Sequence, residues 1–473
     1  MAWQPGCRGW CIILRYIGET MTTKARYRVL GAVVAAVVAA VVGCFFLSMG
    51  SGYESSLPAD AQALARLDAK ALLEKTSLSL VKQRQGELEH SGIDFAHSLY
   101  AFVDGRGGPG VLLPLRSARD FKAYLQGKGI EVERQRGYSW ARSGQWLMAF
   151  SDDRCLAFGP LSEQEMGAMR GQMASLMGQS GKPKAALLGR VEKSRAPLSA
   201  AFDVGQAQRL LARVLPEVSG VLHGGLTGTV GMDVDFKEQR IVADVTLYGT
   251  GVEEGKSFLV PLDEPASLPK SADGMCVLTV GVDGDALLAL LRSYPAVRTA
   301  LLAINFTFDL DQMIRAIQGG VSLSVVRDDW ETPQIALTTR FKDTHFRQSL
   351  EGLTDFYYPI GEGGVEVHDD STFCVGFPGG NLYLGLRGNR LAACTEQVRG
   401  EAAVKDLEEG RLVSMKDAVG NLVYMQLDLT TLPERHWIWE PLARHGVDMG
   451  KFLRQYGRLI LRVRAEKDER END

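Results

Sequence analysis

The chain lacks the short signatures that usually identify a chemistry. Its 473 residues contain no CxxC pair, no HExxH or HxxxH spacing and no GxSxG. This removes the local patterns of zinc sites, metallopeptidases and serine hydrolases built on a nucleophile elbow. An excess of one charge is also missing. With 53 basic and 57 acidic residues the net charge is −4, which speaks against a nucleic-acid binder driven by bulk electrostatics. Cysteine is sparse and scattered. Cys155, Cys276, Cys374 and Cys394 sit inside apolar, strand-like runs and are expected to be small buried hydrophobes, although pairing among them stays open.

Only one long apolar run is present, and it carries no charge. Residues 29–49, VLGAVVAAVVAAVVGCFFLSM, are long enough to span a bilayer as a helix. Lys24, Arg26 and Arg28 precede it, so the positive-inside rule keeps the N-terminus cytoplasmic and sends the body outward. Met21, followed by TTKARYR, is a better signal-type start than Met1. Val41-Val-Gly-Cys44 has small residues just before a cysteine, the form of a bacterial lipobox, so Cys44 is a lipidation candidate. Phe45-Phe-Leu47 prolongs the apolar run, as an uncleaved anchor would. Both alternatives, a lipid on Cys44 or a span over 29–49, tether the body to a membrane outside the cytoplasm, in the periplasm or at the surface.

The rest is organised around Leu57–Leu73, LPADAQALARLDAKALL, in which an extended run ends at Asp68 and a helical pattern follows. Three echoes occur. LSAAF leads to Asp203, MCVLTVGV to Asp283 and LVYMQL to Asp428, each before an apolar, helix-like stretch. Even the lead-in recurs, as LPADA and LPKSADG, so the two halves are expected to superpose with Asp68 over Asp283 and Asp203 over Asp428. An aspartate at such a junction accepts from the free N–H groups of the first helical turn and suits the positive end of the helix dipole. Capping is therefore the expected role of Asp68, Asp203, Asp283 and Asp428, and a shared metal or acid–base site is the functional alternative.

Taken in order, the chain divides into a leader and anchor (1–52), a first half (53–262), a second half (263–465) and a charged tail (466–473). The boundary is placed in the proline-containing, weakly patterned stretch from Glu253 to Lys270. Strand pairs and helices without strict alternation predict an α+β body of mixed or antiparallel sheets, duplicated, after the N-terminal helix. The hairpin LYLGLRGNRLAACT is matched to WLMAFSDDRCLAF, and DTHFRQSLEG to SARDFKAYLQ. The hairpin after Gly319-Gly320 is matched to the one after Gly224-Gly225.

The anchor or signal, the short linker, the LPADA…LDAKALLEK opening and the roughly two-fold body resemble an uncharacterised family of Bacteroidales cell-envelope proteins, often lipoproteins, catalogued as domain of unknown function 4836. The resemblance implies architecture and compartment. It supplies no catalytic residues, and the apolar run past Cys44 departs from it.

Other candidate motifs read as local structure. Ser79-Leu-Val-Lys82 has the SxxK spacing without its SDN and KTG companions. Gly105–Gly110 is a turn rather than a phosphate loop, because Pro109 and the following strand deny it a helix N-terminus. Asp309-Leu-Asp311 lacks the rest of a calcium loop, and Asp311 is expected to cap a short helix. His368-Asp-Asp370 reads as a polar hairpin tip with a divalent ion as the alternative, and Trp437 with Trp439 as core with a binding platform as the alternative. The sequence thus predicts a membrane-tethered, non-catalytic envelope protein that binds or scaffolds an unknown ligand or envelope partner, with no cofactor and no nucleic acid. An envelope hydrolase with dispersed catalytic residues is the second possibility.

Overall fold

The computed structural model describes residues 53–75, 90–135, 137–181, 185–205, 228–250, 257–305, 309–325, 334–343, 365–369, 372–377, 380–431 and 453–466. The apolar run 29–49, Cys44, Ser79, Lys82, Gly224, Gly225, Trp437 and Trp439 lie outside them. Two compact units are present: of the described residues, those of 53–248 with 453–456 fall in one and those of 249–431 with 457–466 in the other. The division falls at Tyr248/Gly249, earlier than the proline-containing stretch, because Leu262, Ala266 and Leu268 already belong to a core cluster of the second unit.

The first unit carries β1 (Ala63–Leu67), β2 (Leu99–Val103), β3 (Pro109–Pro114), β4 (Val132–Gln135), β5 (Tyr138–Ser143), β6 (Trp146–Phe150), β7 (Arg154–Phe158), β8 (Leu198–Asp203), β9 (Thr229–Lys237) and β10 (Arg240–Tyr248). All pair antiparallel, in the order β4-β5-β6-β7-β3-β2-β1-β8-β9-β10. Its helices are α1 (Ala69–Lys75), α2 (Ala118–Gly127), α3 (Glu163–Met177) and α4 (Leu188–Lys193). The helix starts are chemically specified. Ser117 accepts from Asp120 N–H at 3.2 Å, and Ser162 with Glu165 forms a capping box. One face of the sheet is apolar and packs under α3, α4 and the 3-10 turn Tyr53–Ser56; Tyr53, Leu57, Tyr100, Leu112, Leu156 and Phe158 are each at most 2% exposed there.

The second unit carries β11 (Ala266–Pro269), β12 (Cys276–Asp283), β13 (Ile317–Val325), β14 (Ile335–Phe341), β15 (Val365–Asp369), β16 (Thr372–Phe377), β17 (Gly380–Arg387), β18 (Arg390–Cys394), β19 (Leu412–Met415), β20 (Val423–Asp428) and β21 (Arg458–Glu466). The main sheet is again antiparallel, ordered β15-β16-β17-β18-β14-β13-β12-β20-β21, and β11 pairs separately with β19. Its helices are α5 (Gly284–Ser293), α6 (Pro295–Asn305), α7 (Leu310–Ala316) and α8 (Gln397–Glu409). The chain is therefore α+β. No described helix is long and apolar enough to cross a membrane.

Strand by strand, β1, β2, β3, β4–β7, β8 and β9 have the same neighbours as β12, β13, β14, β15–β18, β20 and β21. Single hydrogen bonds fix the register between them. Asp203 N–H donates to Gln62 O (3.0 Å) and Asp428 N–H to Met275 O (2.7 Å). Leu115 N–H donates to Asp153 O (2.9 Å) and Phe341 N–H to Asn389 O (2.8 Å). Asp203 thus corresponds to Asp428, and Arg154 to Arg390.

This register corrects two expected matches. Asp68, whose N–H donates to Pro197 O, corresponds to Gly281, whose N–H donates to Leu422 O, and not to Asp283. The strand β12 runs two residues further before its helix because a neighbouring segment pairs beside its end, with Val260 N–H on Gly281 O at 3.1 Å. The β13–β14 hairpin corresponds to β2–β3, since Gly319 and Gly320 lie within β13 and pair with β12. The β17–β18 hairpin does take the place of β6–β7. Most of DTHFRQSLEG lies outside the described residues.

Asp68 accepts from Ala71 N–H at 2.8 Å and Asp283 from Ala286 N–H at 2.9 Å. Asp428 accepts from Thr430 N–H at 2.9 Å in a single 3-10 turn. Asp203 ends β8, and the stretch after Gly205 lies outside the described residues. Substituting Asp283→Ala orphans the first-turn donors of α5, and thermal unfolding should register a loss of about 1 kcal/mol. A third expectation is corrected here: the cap of α7 is Asp309, which accepts from Gln312 N–H at 2.9 Å, while the buried Asp311 pairs with Arg292. An acidic side chain inside the first turn cannot reach back to the cap position when a guanidinium holds it elsewhere.

Candidate functional site: a hollowed sheet face in the second unit

In the first unit, the row crossing β1, β2, β3 and β7 through Arg66, Tyr100, Leu112 and Leu156 carries the core beneath the Tyr53–Ser56 turn. The same row of the second unit is Thr279, Ser322, Thr338 and Ala392. Three large apolar or aromatic side chains have become two hydroxyls and a methyl. The next row towards the strand ends is Gly281, Gly320, Arg340 and Arg390.

The result is a recess of about 80 Å³, walled by Leu262–Ala266 and Leu407 and floored by Gly320, Ser322 and Thr338 with Arg340 and Arg390. Its floor is hydrogen-bonded. Thr279 and Ser322 hydroxyls lie 2.8 Å apart, and Ser324 donates to Ala272 O at 2.6 Å. Arg340 pairs with Glu264 at 2.6 Å. The wall is fixed from behind by Asp406, which is 4% exposed and accepts from Ser271 N–H (2.7 Å) and Arg411 Nε (2.6 Å). Burial opposes the Asp406 charge, but the Ser271 amide and the Arg411 guanidinium hold its carboxyl below the usual carboxylate range.

Chemically, the recess offers guanidinium and hydroxyl groups. Its lining includes neither histidine nor cysteine, and the Ser322 hydroxyl faces Thr279 rather than a base. The described cysteines, Cys155, Cys276, Cys374 and Cys394, are buried. Burial pushes the Cys155 thiol up and the Cys276 thiol to about 11, which keeps both protonated and unreactive.

Asp68, Asp283 and Asp428 are spent on backbone donors, and no group of three or more metal-ligating side chains is found among the described residues. His97 pairs with Asp94 at 2.8 Å on the surface. The Gly105–Gly110 tract is the β2–β3 turn, closed by the buried Asp104, which accepts from Arg106 and Gly108 N–H. The side chain of His368 and residue 370 lie outside the described residues. Sequence inspection passed over Arg340, Arg390 and Ser322, because cross-strand neighbours separated by up to 70 residues leave no local pattern.

No protein-family model matches the chain, and no curated protein does. Among solved structures, one described as crystal form IV of TP0453 aligns at 7% identity and a TM-score of 0.30, over 41% of this chain and 78% of that one. Crystal form III of TP0453 aligns at 8% identity and a TM-score of 0.25, over 75% and 97%.

Proposed function

We propose that this is a membrane-tethered, non-catalytic envelope protein whose duplicated α+β body binds a ligand outside the cytoplasm. The observation that carries the binding role is the hollowed face. Two sheets share one strand order, yet in the second Tyr100, Leu112 and Leu156 are replaced by Ser322, Thr338 and Ala392 beside a polar recess. Replacing a packed core by hydroxyls and guanidinium groups costs stability, and binding is the return such a sacrifice brings. Matching strand orders together with the repeated strand–aspartate junctions support duplication of one ancestral half. Tethering rests on the uncharged run 29–49 behind Lys24, Arg26 and Arg28.

Cell fractionation tests the tether. The full chain should sediment with membranes and resist a carbonate wash, and deletion of residues 29–49 should release it. A fatty-acid probe that labels the protein but not Cys44→Ser would identify the anchor as a lipid, whereas retention without label would identify a span. Recovery of the intact chain from the cytosol would sink the proposal.

A further inference from the structure

We infer that the recess of the second unit binds a small oxyanion, a phosphate or a carboxylate, through the Arg390 guanidinium with Arg340 beside it. This rests on the binding role proposed above and names its ligand chemistry. The first unit supplies an internal control, because Arg154 occupies the position of Arg390. Arg154 is fully engaged by its own chain. Its Nη1 donates to Ser55 Oγ (3.2 Å) and Ser56 Oγ (3.0 Å), and its Nε and Nη2 donate to the Asp153 carboxylate (2.8–3.1 Å). Tyr53 and Leu57 close the space above it.

In the second unit none of these contacts is made: Ser267, which matches Ser56, donates to Pro265 O instead. The residue corresponding to Asp153 is Asn389, which is uncharged and donates its Nδ2 to Phe341 O at 2.9 Å. The segment matching Ser56–Pro58 is Ser267–Pro269, whose Ser267 and Pro269 line the recess without bonding to Arg390, and Gly320 contributes no side chain. Among the described residues Arg390 makes no side-chain hydrogen bond or ion pair. Directly across the ladder stands a second guanidinium, Arg340, and like charges opposed on a sheet repel. Glu264 neutralises Arg340 alone. Asp263 also lines the rim but forms no ion pair with either arginine among the described residues.

A half-buried, unpartnered guanidinium next to another is thus left one counter-charge short. An oxyanion supplies that charge in the bidentate geometry a guanidinium prefers, and the Thr338 and Ser322 hydroxyls on the recess floor offer further polar contacts.

The test is isothermal titration of the full chain in detergent with inorganic phosphate and, separately, with succinate. Saturable binding of either is expected, and the arm that binds identifies the source. Arg390→Leu should weaken it about 10- to 100-fold, the worth of a charge-assisted hydrogen-bond pair, and Arg390→Lys should restore part of it. The double variant Arg340→Leu/Arg390→Leu should lose binding while remaining as stable to heat as the parent, which separates recognition from folding. Binding of neither anion, or binding unchanged in Arg390→Leu, overturns the inference. Crosslinking of the membrane-bound chain distinguishes the two levels. A crosslinked ligand that the double variant loses, in a protein that titrates with neither anion, would leave the binding role standing and remove the oxyanion.

Discussion

Phe158→Ala should destabilise the first unit by about 3–5 kcal/mol, the range for deleting a fully buried aromatic ring. Phe158 is completely buried and meets Phe102 edge-to-face with ring centroids 5.2 Å apart. The site has little freedom to collapse, since Phe102 already occupies the space beside Gly110, where an added Cβ would lie 2.4 Å from its ring. Chemical denaturation should show a lowered midpoint with the second unit's transition unmoved. A midpoint equal to the parent's would mean that this face is not the packed core described above. The corresponding residue of the second unit is Cys394, where truncation to alanine removes only one sulfur atom and should be far milder.

Gly281→Val should damage the second unit on two counts. A Cβ at this position would lie 1.9 Å from Val260 O, a backbone atom that cannot yield as a flexible side chain would. Forcing such an overlap costs about 1–3 kcal/mol or more, and it should appear as a lowered unfolding temperature. The segment that must give way runs directly into Leu262, Asp263 and Glu264, the wall of the recess. Loss of the Glu264 ion pair with Arg340 and weaker anion binding should therefore accompany the loss of stability. Unfolding at the parental temperature with intact binding would show that the close approach at Gly281 is not required.

The same row of the two sheets is filled differently. In the first, Tyr53 and Leu57 are folded over Tyr100, Leu112 and Leu156, and the one arginine at the edge is saturated by Ser55, Ser56 and Asp153. In the second, the same strands present Ser322, Thr338 and Ala392 to a recess, with Arg390 unpaired among the described residues. A half-buried charge without a partner is costly, and on the reading proposed above a ligand would complete it.

By itself, the sequence determined what depends on neighbours along the chain. The uncharged run 29–49 and its preceding cations, the aspartate junctions and the mixture of strands and helices all follow from periodicity and from hydrogen bonds within a few residues. The Asp68 and Asp283 caps, each three residues from its donor, belong to that class. Only the tertiary structure decided the strand order, the two-residue extension of β12 that shifts Asp283 past the position of Asp68, and the pairing of Arg340 with Arg390 across the ladder. Register is set by contacts between residues distant in the chain, and a cross-strand row exists only once the sheet has formed. That is why two arginines fifty residues apart carry no signal in one dimension and stand side by side in three.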